Sequence, residues 1–246
     1  MPLIRQHFDK TSAAKVVAKD IADLIGLRSL SGKKTVLGLA TGSTPLPLYA
    51  ELIRLHREEG LSFKNVVTFN LDEYVGLGAK HPHSYRHFME QNLFRAIDLP
   101  KTSAHIPDGL SKDFSAECLA YEGLIKSVGG IDLQILGIGR TGHIGFNEPP
   151  SDAACRTRRV TLNAITRSDN AGFFGSPESV PTEALTMGVG TILEAKKIAL
   201  LAFGAGKAEI VRRAFDEKPN VGCPATWLQL HPDCTFHLDA AAHSTL

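Results

Sequence analysis

Residues 131–139 read I-D-L-Q-I-L-G-I-G, an almost continuous apolar run that ends in glycine. A short apolar run of this kind, bounded by a glycine-rich turn, predicts a strand that is buried on both faces. Similar runs lie at residues 35–40, 66–71 and 197–203. Strands that are apolar on both faces are typical of a parallel sheet covered by helices on each side.

Helical patterns separate these predicted strands. Apolar residues recur at helical spacing between residues 12 and 30. Further helices are predicted at residues 45–58, 85–97, 113–128 and 207–216, and a short helix followed by a strand at 223–238. The alternation predicts an α/β fold with a mostly parallel sheet and helices on both faces. The length of 246 residues fits a single domain.

Composition narrows the class of partner. Lys and Arg total 27 against 26 Asp and Glu, which gives a net charge of +1 and removes the electrostatic case for nucleic acid or an anionic membrane. The four cysteines form no C-x-x-C pair, which favours free thiols in a reducing compartment. The first 20 residues contain no apolar signal segment, and no apolar run could span a bilayer. We therefore expect a cytoplasmic protein.

Ligands of parallel α/β sheets bind beyond the carboxyl ends of the strands, and two turns at such positions favour an anion. Thr41-Gly42-Ser43-Thr44 precedes a helix that opens at Pro45, where free N–H groups and the helix dipole attract negative charge. An ordinary helix cap is the simpler interpretation. Lys207 follows another strand at a helix start, a position that the dipole disfavours for a cation unless a phosphate or carboxylate lies nearby.

A pair of carboxylates follows the strand at residues 66–71. Asp72 and Glu73 are adjacent, so in an extended chain only one of them would face a ligand. A partly desolvated carboxylate at a strand end can act as a general base, although a structural capping role for Asp72 is the alternative.

The turn after residues 131–138 is rich in glycine. Gly137, Gly139 and Gly142 match G-x-G-x-x-G, but the N-E-P-P sequence at residues 147–150 interrupts the long helix that a dinucleotide site requires. The glycines, with Gly145, are better suited to closing the backbone on a small polar ligand. His143 and Glu148 lie five residues apart in this turn and could meet.

Three histidines, His81, His83 and His87, lie close together in sequence. Their spacing matches no standard metal-ligand pattern, and Pro82 suggests a surface turn. We therefore expect no metal at these histidines.

In this order, the segments resemble the glucosamine-6-phosphate deaminases. The resemblance spans nearly the whole chain and rests on the motifs A-T-G-S-T-P at residues 40–45, N-L-D-E-Y at 70–74, H-S-Y at 83–85, G-I-G and G-H-I-G-F-N-E-P within 137–149, and L-T-M-G-V-G-T at 185–191. The sister 6-phosphogluconolactonases usually carry D-E-R and G-H-T-A-S-L-F-P at two of these places, so Tyr74 and residues 146–149 favour the deaminase group.

The resemblance implies a three-layer, modified Rossmann-type α/β sandwich without metal or cofactor. It implies that an amino-sugar 6-phosphate and water give a ketose 6-phosphate and ammonia. Asp72 would move a proton between C2 and C1, and His143, oriented and charged through Glu148, would open the sugar ring. The phosphate would be held by Lys207 and residues 42–44, with Thr41, Gly137, Gly139 and Gly145 also lining the site. Residues 161–182 would form a lid.

Two positions depart from the family pattern. Thr141 stands where the family usually has Asp or Asn, so that position brings no charge to His143. Gly172 stands where the lid usually carries an arginine, and Arg167 or Arg158 is a candidate substitute for binding phosphate. Val160 replaces a lysine of the effector region, to which Ser151 and Arg158 belong, so we expect no allosteric regulation.

Two other functions stay open at this point. One is a lactonase-type hydrolase on the same fold, and the other is a catalytically silent sugar-phosphate-binding protein. The small-molecule partner is a sugar phosphate in each case, and the sequence leaves both a monomer and a homo-oligomer open.

Overall fold

Seven parallel strands form the central sheet of the computed structural model, which describes residues 1–246. In chain order the strands and α-helices are β1 Leu3–His7, α1 Lys10–Leu30, β2 Thr35–Leu39, α2 Leu46–Glu59, β3 Val66–Asn70, β4 Asp72–Tyr74, α3 Tyr85–Asn92, β5 Ala104–His105, α4 Phe114–Ser127, β6 Leu133–Leu136, β7 Arg158–Thr161, α5 Ala164–Phe174, β8 Glu183–Thr186, α6 Val189–Leu193, β9 Ile198–Ala202, α7 Ala208–Asp216 and β10 Cys234–Asp239. The spatial order of the central sheet is β1-β10-β9-β6-β2-β3-β5.

The four strands predicted from apolar runs are β2, β3, β6 and β9, and they are consecutive in the sheet. Every residue of these four strands is buried. Leu37 of β2 pairs with Thr68 of β3 on one side and with Leu133 of β6 on the other. Consecutive parallel strands bring their carboxyl ends to one edge, so the turns that follow them meet there.

Helices cover both faces of the sheet, which confirms the predicted α/β sandwich. On one face, α1 and α2 contribute Ile21, Leu48 and Tyr49 to a hydrophobic cluster with the inner strands. On the other face, α4 and α7 contribute Tyr121 and Val211 to a second cluster. Continuous apolar strands require this double cover, because either face left in water would expose a large apolar surface.

A second, three-stranded antiparallel sheet lies beyond the edge where the site forms. Its order is β4-β8-β7, and Asp72 at the start of β4 pairs with Thr186 at the end of β8. Tyr74, Phe146 and Val180 belong to a small hydrophobic cluster at this sheet. The sheet therefore fixes the backbone on either side of Asp72, because β4 follows β3 after a single residue.

No helix of the structure combines the length and the apolar character needed to span a bilayer. The four cysteines are free, and three of them are buried.

Gly38 lies at the centre of β2 under the side chain of Gln134, and the Nε2 of Gln134 donates to the carbonyl oxygen of Ile135. A Cβ at position 38 would overlap the Gln134 amide. We expect Gly38→Ala to lower the free energy of unfolding by about 1–3 kcal/mol through overpacking, measured by urea denaturation. In a Gln134→Ala background, Gly38→Ala should lower the free energy of unfolding by measurably less. An equal cost in both backgrounds would contradict this account.

Candidate active site

A cavity of about 530 Å³ lies at the carboxyl ends of the central strands. Its walls come from the turns after β2, β3, β6 and β9 and from α5, which covers one side. Ten of the predicted site residues line it, namely Thr41, Gly42, Ser43, Thr44, Asp72, Gly137, Gly139, His143, Gly145 and Lys207. Thr141, Glu148 and Arg167 do not line it.

The turn after β2 presents free hydrogen-bond donors to this cavity. The backbone N–H groups of Gly42, Ser43 and Thr44 form no hydrogen bond within the protein. Gly42 has a φ of +86°, a conformation that favours glycine, and α2 begins directly after Pro45 without a side-chain cap. Free N–H groups at a helix N-terminus suit a phosphate or another anion.

Lys207 adds a positive charge from the turn after β9. Its Nζ donates a 2.7 Å hydrogen bond to the carbonyl oxygen of Ile138, which draws the ammonium over the glycine-rich turn after β6. Burial lowers the pKa of Lys207, the charge of Asp169 raises it and that of Arg140 lowers it. The lysine therefore lies beside other charged groups at the mouth of the cavity.

Asp72 is 5% exposed, lines the cavity and forms no side-chain hydrogen bond or ion pair. Burial raises the pKa of its carboxyl to about 8, with a further contribution from the charge of Glu73. A carboxylate that is desolvated but unpaired is costly to retain in a fold, and such groups are typical of catalytic sites.

Glu73 faces away from the cavity, as the alternation of an extended chain predicts. Its carboxylate accepts 2.9 Å hydrogen bonds from the N–H groups of Tyr74, Tyr85 and Arg86, the last two in the first turn of α3. Burial raises the pKa of Glu73 to about 7, and these hydrogen bonds oppose the shift. Of the two carboxylates, only Asp72 is therefore available to a ligand.

His143 contacts Thr141 through its ring. The Thr141 Oγ1 lies 2.9 Å from the His143 Nδ1, which leaves the Nε2 for a ligand. The pKa of His143 is lowered to about 4, mainly by burial and also by the charge of Lys207, while Asp169 opposes the shift. His143 is therefore neutral at pH 7, and position 141 contributes a hydroxyl instead of a charge.

The expected contact between His143 and Glu148 is wrong. No ion pair joins them, and the Glu148 Oε2 instead accepts a 2.9 Å hydrogen bond from the N–H of Asn163, the N-cap residue of α5. The other oxygen of Glu148 is buried without a partner. Residues 144–147 form a tight turn closed by an Ile144–Asn147 bridge, and the Glu148 that follows it is bound to the N-terminus of α5.

Arg167 does not bind at the cavity either, although it lies in the predicted lid. Its guanidinium donates to the backbone carbonyls of Val180, Pro177 and Glu178, which closes the segment after α5 back onto the helix. Gly172 faces open space, since a Cβ at this position would have no atom within 4 Å. Arg158 donates to Asn147 and Ser151 and also does not line the cavity.

Several lining residues are absent from the sequence-based prediction. They include Tyr85, Arg140, Phe146, Thr166, Asp169, Asn170 and Phe173. Tyr85 lies in the H-S-Y motif and Arg140 lies inside the glycine-rich turn, so the sequence held a signal for both. Asp169 and Asn170 belong to α5, whose placement over the cavity depends on tertiary packing.

The glycine-rich turn does not bind a dinucleotide in the Rossmann manner. No helix follows β6, since the next element is β7 at Arg158–Thr161. His81 and His83 lie in a turn before α3, where the His83 ring packs 4.8 Å from that of Phe174. No cluster of three His, Cys, Asp or Glu side chains in the structure could hold a metal ion.

Comparison with known proteins agrees with the motifs. Residues 9–236 match the model of the family described as glucosamine-6-phosphate isomerases/6-phosphogluconolactonase. The chain belongs to this family. It is 52% identical over 212 residues to a glucosamine-6-phosphate deaminase of Shewanella loihica, which covers 86% of this chain and 79% of the relative. It is 50% identical to the Cellvibrio japonicus enzyme of the same name, over 95% of this chain and 89% of the relative.

Solved structures of this glucosamine-6-phosphate isomerase family share the fold. A monomeric glucosamine-6-phosphate deaminase superimposes with a TM-score of 0.95 at 45% identity, covering 99% of this chain and 100% of its own. A 6-phosphogluconolactonase from Trypanosoma cruzi superimposes with a TM-score of 0.76 at 23% identity, covering 100% and 97%. The second match indicates the fold alone, while the first is close in sequence as well.

Proposed function

We propose that this protein is a deaminase that converts glucosamine 6-phosphate and water into fructose 6-phosphate and ammonia. The observation that carries the proposal is the buried, unpaired Asp72 carboxylate facing a cavity beside free N–H donors and Lys207. An isomerisation needs one base that takes a proton from carbon and gives it back. The relatives at about 50% identity are named glucosamine-6-phosphate deaminases, which favours this reaction over lactone hydrolysis.

Phosphate binding orients the substrate. The free N–H groups of Gly42, Ser43 and Thr44 donate to phosphate oxygens, the hydroxyls of Ser43 and Thr44 supply further donors, and Lys207 supplies positive charge. Because the phosphate lies at C6, this end fixes the sugar while C1 and C2 reach Asp72 and His143. Binding energy at the phosphate thus positions the reacting carbons.

Ring opening is the proposed role of His143. Its neutral imidazole accepts the proton of the C1 hydroxyl and delivers a proton to the ring oxygen, so that the C1–O5 bond breaks and an aldehyde forms. Thr141 orients the ring by its contact with Nδ1. Phosphate at Lys207 would offset the lysine charge that lowers the pKa of His143, which favours the protonated form midway through this step.

Asp72 then moves the proton along the chain. The carboxylate takes the proton from C2 while the C1 carbonyl oxygen gains a proton that the substrate ammonium loses, which gives an enolamine with a hydroxyl at C1. Asp72 then gives its proton to C1, which leaves a protonated imine at C2. Water adds to this imine carbon, and ammonia leaves as the C2 carbonyl forms. The positively charged amino group of the substrate favours the ionised form of Asp72 in the complex.

The pH dependence follows from the raised pKa of Asp72. Since the base must be ionised and its pKa is about 8 in the free enzyme, we expect kcat/KM to fall about tenfold per unit below that pH and to level off above it. Glu73→Gln should move this limb to lower pH, because the Glu73 charge contributes to raising the pKa. Titration of the substrate alone would leave the limb unmoved in that variant.

The segment 161–182 is proposed to act as a lid. It contains α5 and a 3-10 turn at Pro177–Ser179, and Thr166, Asn170 and Phe173 face the cavity from it. Phe173 is 56% exposed in this structure, so closure over a substrate would bury apolar surface. We further propose a cytoplasmic enzyme, in keeping with its four free cysteines, and one that requires no cofactor, no nucleic acid and no membrane.

The proposed function is tested by incubating the protein with a panel of hexosamine 6-phosphates and with 6-phosphogluconolactone. Ammonia release from glucosamine 6-phosphate, with fructose 6-phosphate as the second product, is the expected result. Lactone hydrolysis without ammonia release would identify a lactonase instead. Binding of the sugar phosphates without turnover would identify a silent binding protein.

A further inference from the structure

Arg140 and Asp169 form an ion pair across the mouth of the cavity. The Arg140 Nε donates to the Asp169 Oδ2 at 3.0 Å and the Nη2 donates to Oδ1 at 2.6 Å. Arg140 lies in the glycine-rich turn after β6, and Asp169 lies in the middle of α5. Both line the cavity, and Arg140 is 59% exposed. The pair is therefore a direct charged link between the floor of the site and its cover.

The cavity contains few positive charges for a phosphate. Arg140 and Lys207 are the only arginine and lysine that line it, and His143, with a pKa of about 4, is neutral at pH 7. The free N–H groups of residues 42–44 donate hydrogen bonds but carry no net charge. A sugar phosphate is close to a dianion at pH 7, so the two permanent cations balance it only if both act on it.

Asp169 acts on the same cations. Its carboxylate is bound to Arg140, and its charge raises the pKa of both Lys207 and His143. In this structure Asp169 therefore compensates for the positive groups that a phosphate would meet. A phosphate that enters beside this carboxylate is repelled by it, since like charges at close range are unfavourable.

The proposed lid segment provides no cation that is free to bind the phosphate. Arg167 is the only basic residue of α5, and its guanidinium is bound to carbonyls of residues 177–180. Gly172 carries no side chain. Arg140, by contrast, has a planar guanidinium suited to a bidentate contact with phosphate, and its Nη1 is free of hydrogen bonds in the structure.

We propose that Arg140 is a phosphate-binding residue, and that Asp169 competes with the substrate phosphate for it. The inference rests on the proposed sugar-phosphate substrate and adds a residue and a coupling to it. When phosphate takes the guanidinium, α5 loses its ion pair with the glycine-rich turn. Binding of the charged substrate would thereby break the ion pair that connects the proposed lid segment to the glycine-rich turn.

The test measures the Kd of inorganic phosphate by isothermal titration calorimetry, at pH 7 and constant ionic strength set with chloride. Arg140→Ala should raise this Kd about tenfold, the low end for a charge-assisted contact at an exposed group. Asp169→Asn should lower it about threefold or more. Arg54→Ala is the control, because Arg54 binds Glu51 through the same Nε and Nη2 atoms, far from the cavity, and should leave the Kd unchanged.

The opposite directions of the two expected Kd changes distinguish competition for Arg140 from an ion pair that only holds α5 in place. If the pair only held the lid in place, both substitutions would break it and would shift the Kd in the same direction. An unchanged Kd in Arg140→Ala, or a raised Kd in Asp169→Asn, overturns the proposal. In an Arg140→Ala background, Asp169→Asn should lose the part of its gain in affinity that comes from freeing Arg140.

Ammonia release from glucosamine 6-phosphate in the same preparations tests the function separately. A normal KM in Arg140→Ala, with ammonia still released, overturns the role of Arg140 and leaves the deaminase function standing. Wild-type protein that binds phosphate with the predicted pattern but releases no ammonia overturns the function and leaves the anion site standing.

Discussion

Replacement of Asp72 by Asn should lower kcat for ammonia release by about 10²- to 10⁴-fold, the range that a proton-transfer group contributes. The carboxamide has nearly the same shape but cannot accept the C2 proton. No protein group bonds to the Asp72 side chain, so the substitution breaks no internal hydrogen bond. The loss should therefore report the chemistry and not a disturbed site.

The same variant should keep its affinity for phosphate, since in the proposed mechanism Asp72 lies at the end of the cavity where C1 and C2 react. Steady-state kinetics with glucosamine 6-phosphate and calorimetry with inorganic phosphate measure the two quantities independently. Retention of more than about a tenth of the wild-type kcat would show that Asp72 is not the base. A large rise in the phosphate Kd would instead mean that the substitution disturbs the whole site.

Asp72→Asn should also stabilise the fold at alkaline pH. The folded-state pKa is raised to about 8, above the usual value of 3.8, so the folded protein holds a proton that the unfolded chain releases. Stability therefore falls as the pH rises from about 4 to 8, and the full cost of the buried charge is present above that window. Asn removes this cost, and we expect Tm to rise by about 2 °C or more at pH 8.5. The gain should shrink at pH 5.

Much of the central sheet could be predicted from the sequence, because a strand buried on both faces is apolar along its whole length. That signal located β2, β3, β6 and β9 within one or two residues of their observed ends. The turns that follow them carry ten of the predicted site residues to one cavity. The rule that parallel strands end at a common edge was sufficient to bring those turns together.

The parts of the fold that were not predicted lack this signal. β1 is an edge strand whose residues are exposed or only partly buried, and β4 has only three residues. The strands β7 and β8 form the antiparallel sheet with β4, and their pairing depends on contacts far apart in sequence. The sequence of α5 gives only a weak signal for an amphipathic helix, because Thr166 is its only buried residue.

The predicted pairing of His143 with Glu148 failed for a local geometric reason. Five residues in an irregular turn allow a contact but do not require one, and the bridge between Ile144 and Asn147 reverses the chain between them. Arg140 lies within the motif, but the sequence gives no signal for its ion pair, because its partner Asp169 is 29 residues away. Charge pairs of that kind become visible only when the fold brings α5 over the turn.

Replacement of His143 by Gln should lower kcat by about 10²-fold or more, the second largest effect expected. Gln can still hydrogen-bond Thr141 but cannot exchange a proton near neutral pH, so ring opening slows while the proton transfer at C2 and C1 is intact. The acidic limb of the pH profile, which Asp72 governs, should therefore remain near pH 8. His56→Ala is a suitable control, because that imidazole contacts the carbonyl of Leu61 on the surface side of α2.

Three companion variants connect this loss to the imidazole itself. Gly139→Ala places a methyl group where the His143 ring lies, so it should lower kcat although no titratable group is removed. Thr141→Val keeps the ring but removes its 2.9 Å contact at Nδ1, and we expect a loss of about threefold to tenfold, in line with one neutral hydrogen bond. In His143→Ala, added imidazole should restore part of the rate by entering the space that the side chain leaves. Full activity in both His143→Gln and Gly139→Ala would mean that the sugar ring opens in solution before binding, and that His143 takes no part in the reaction.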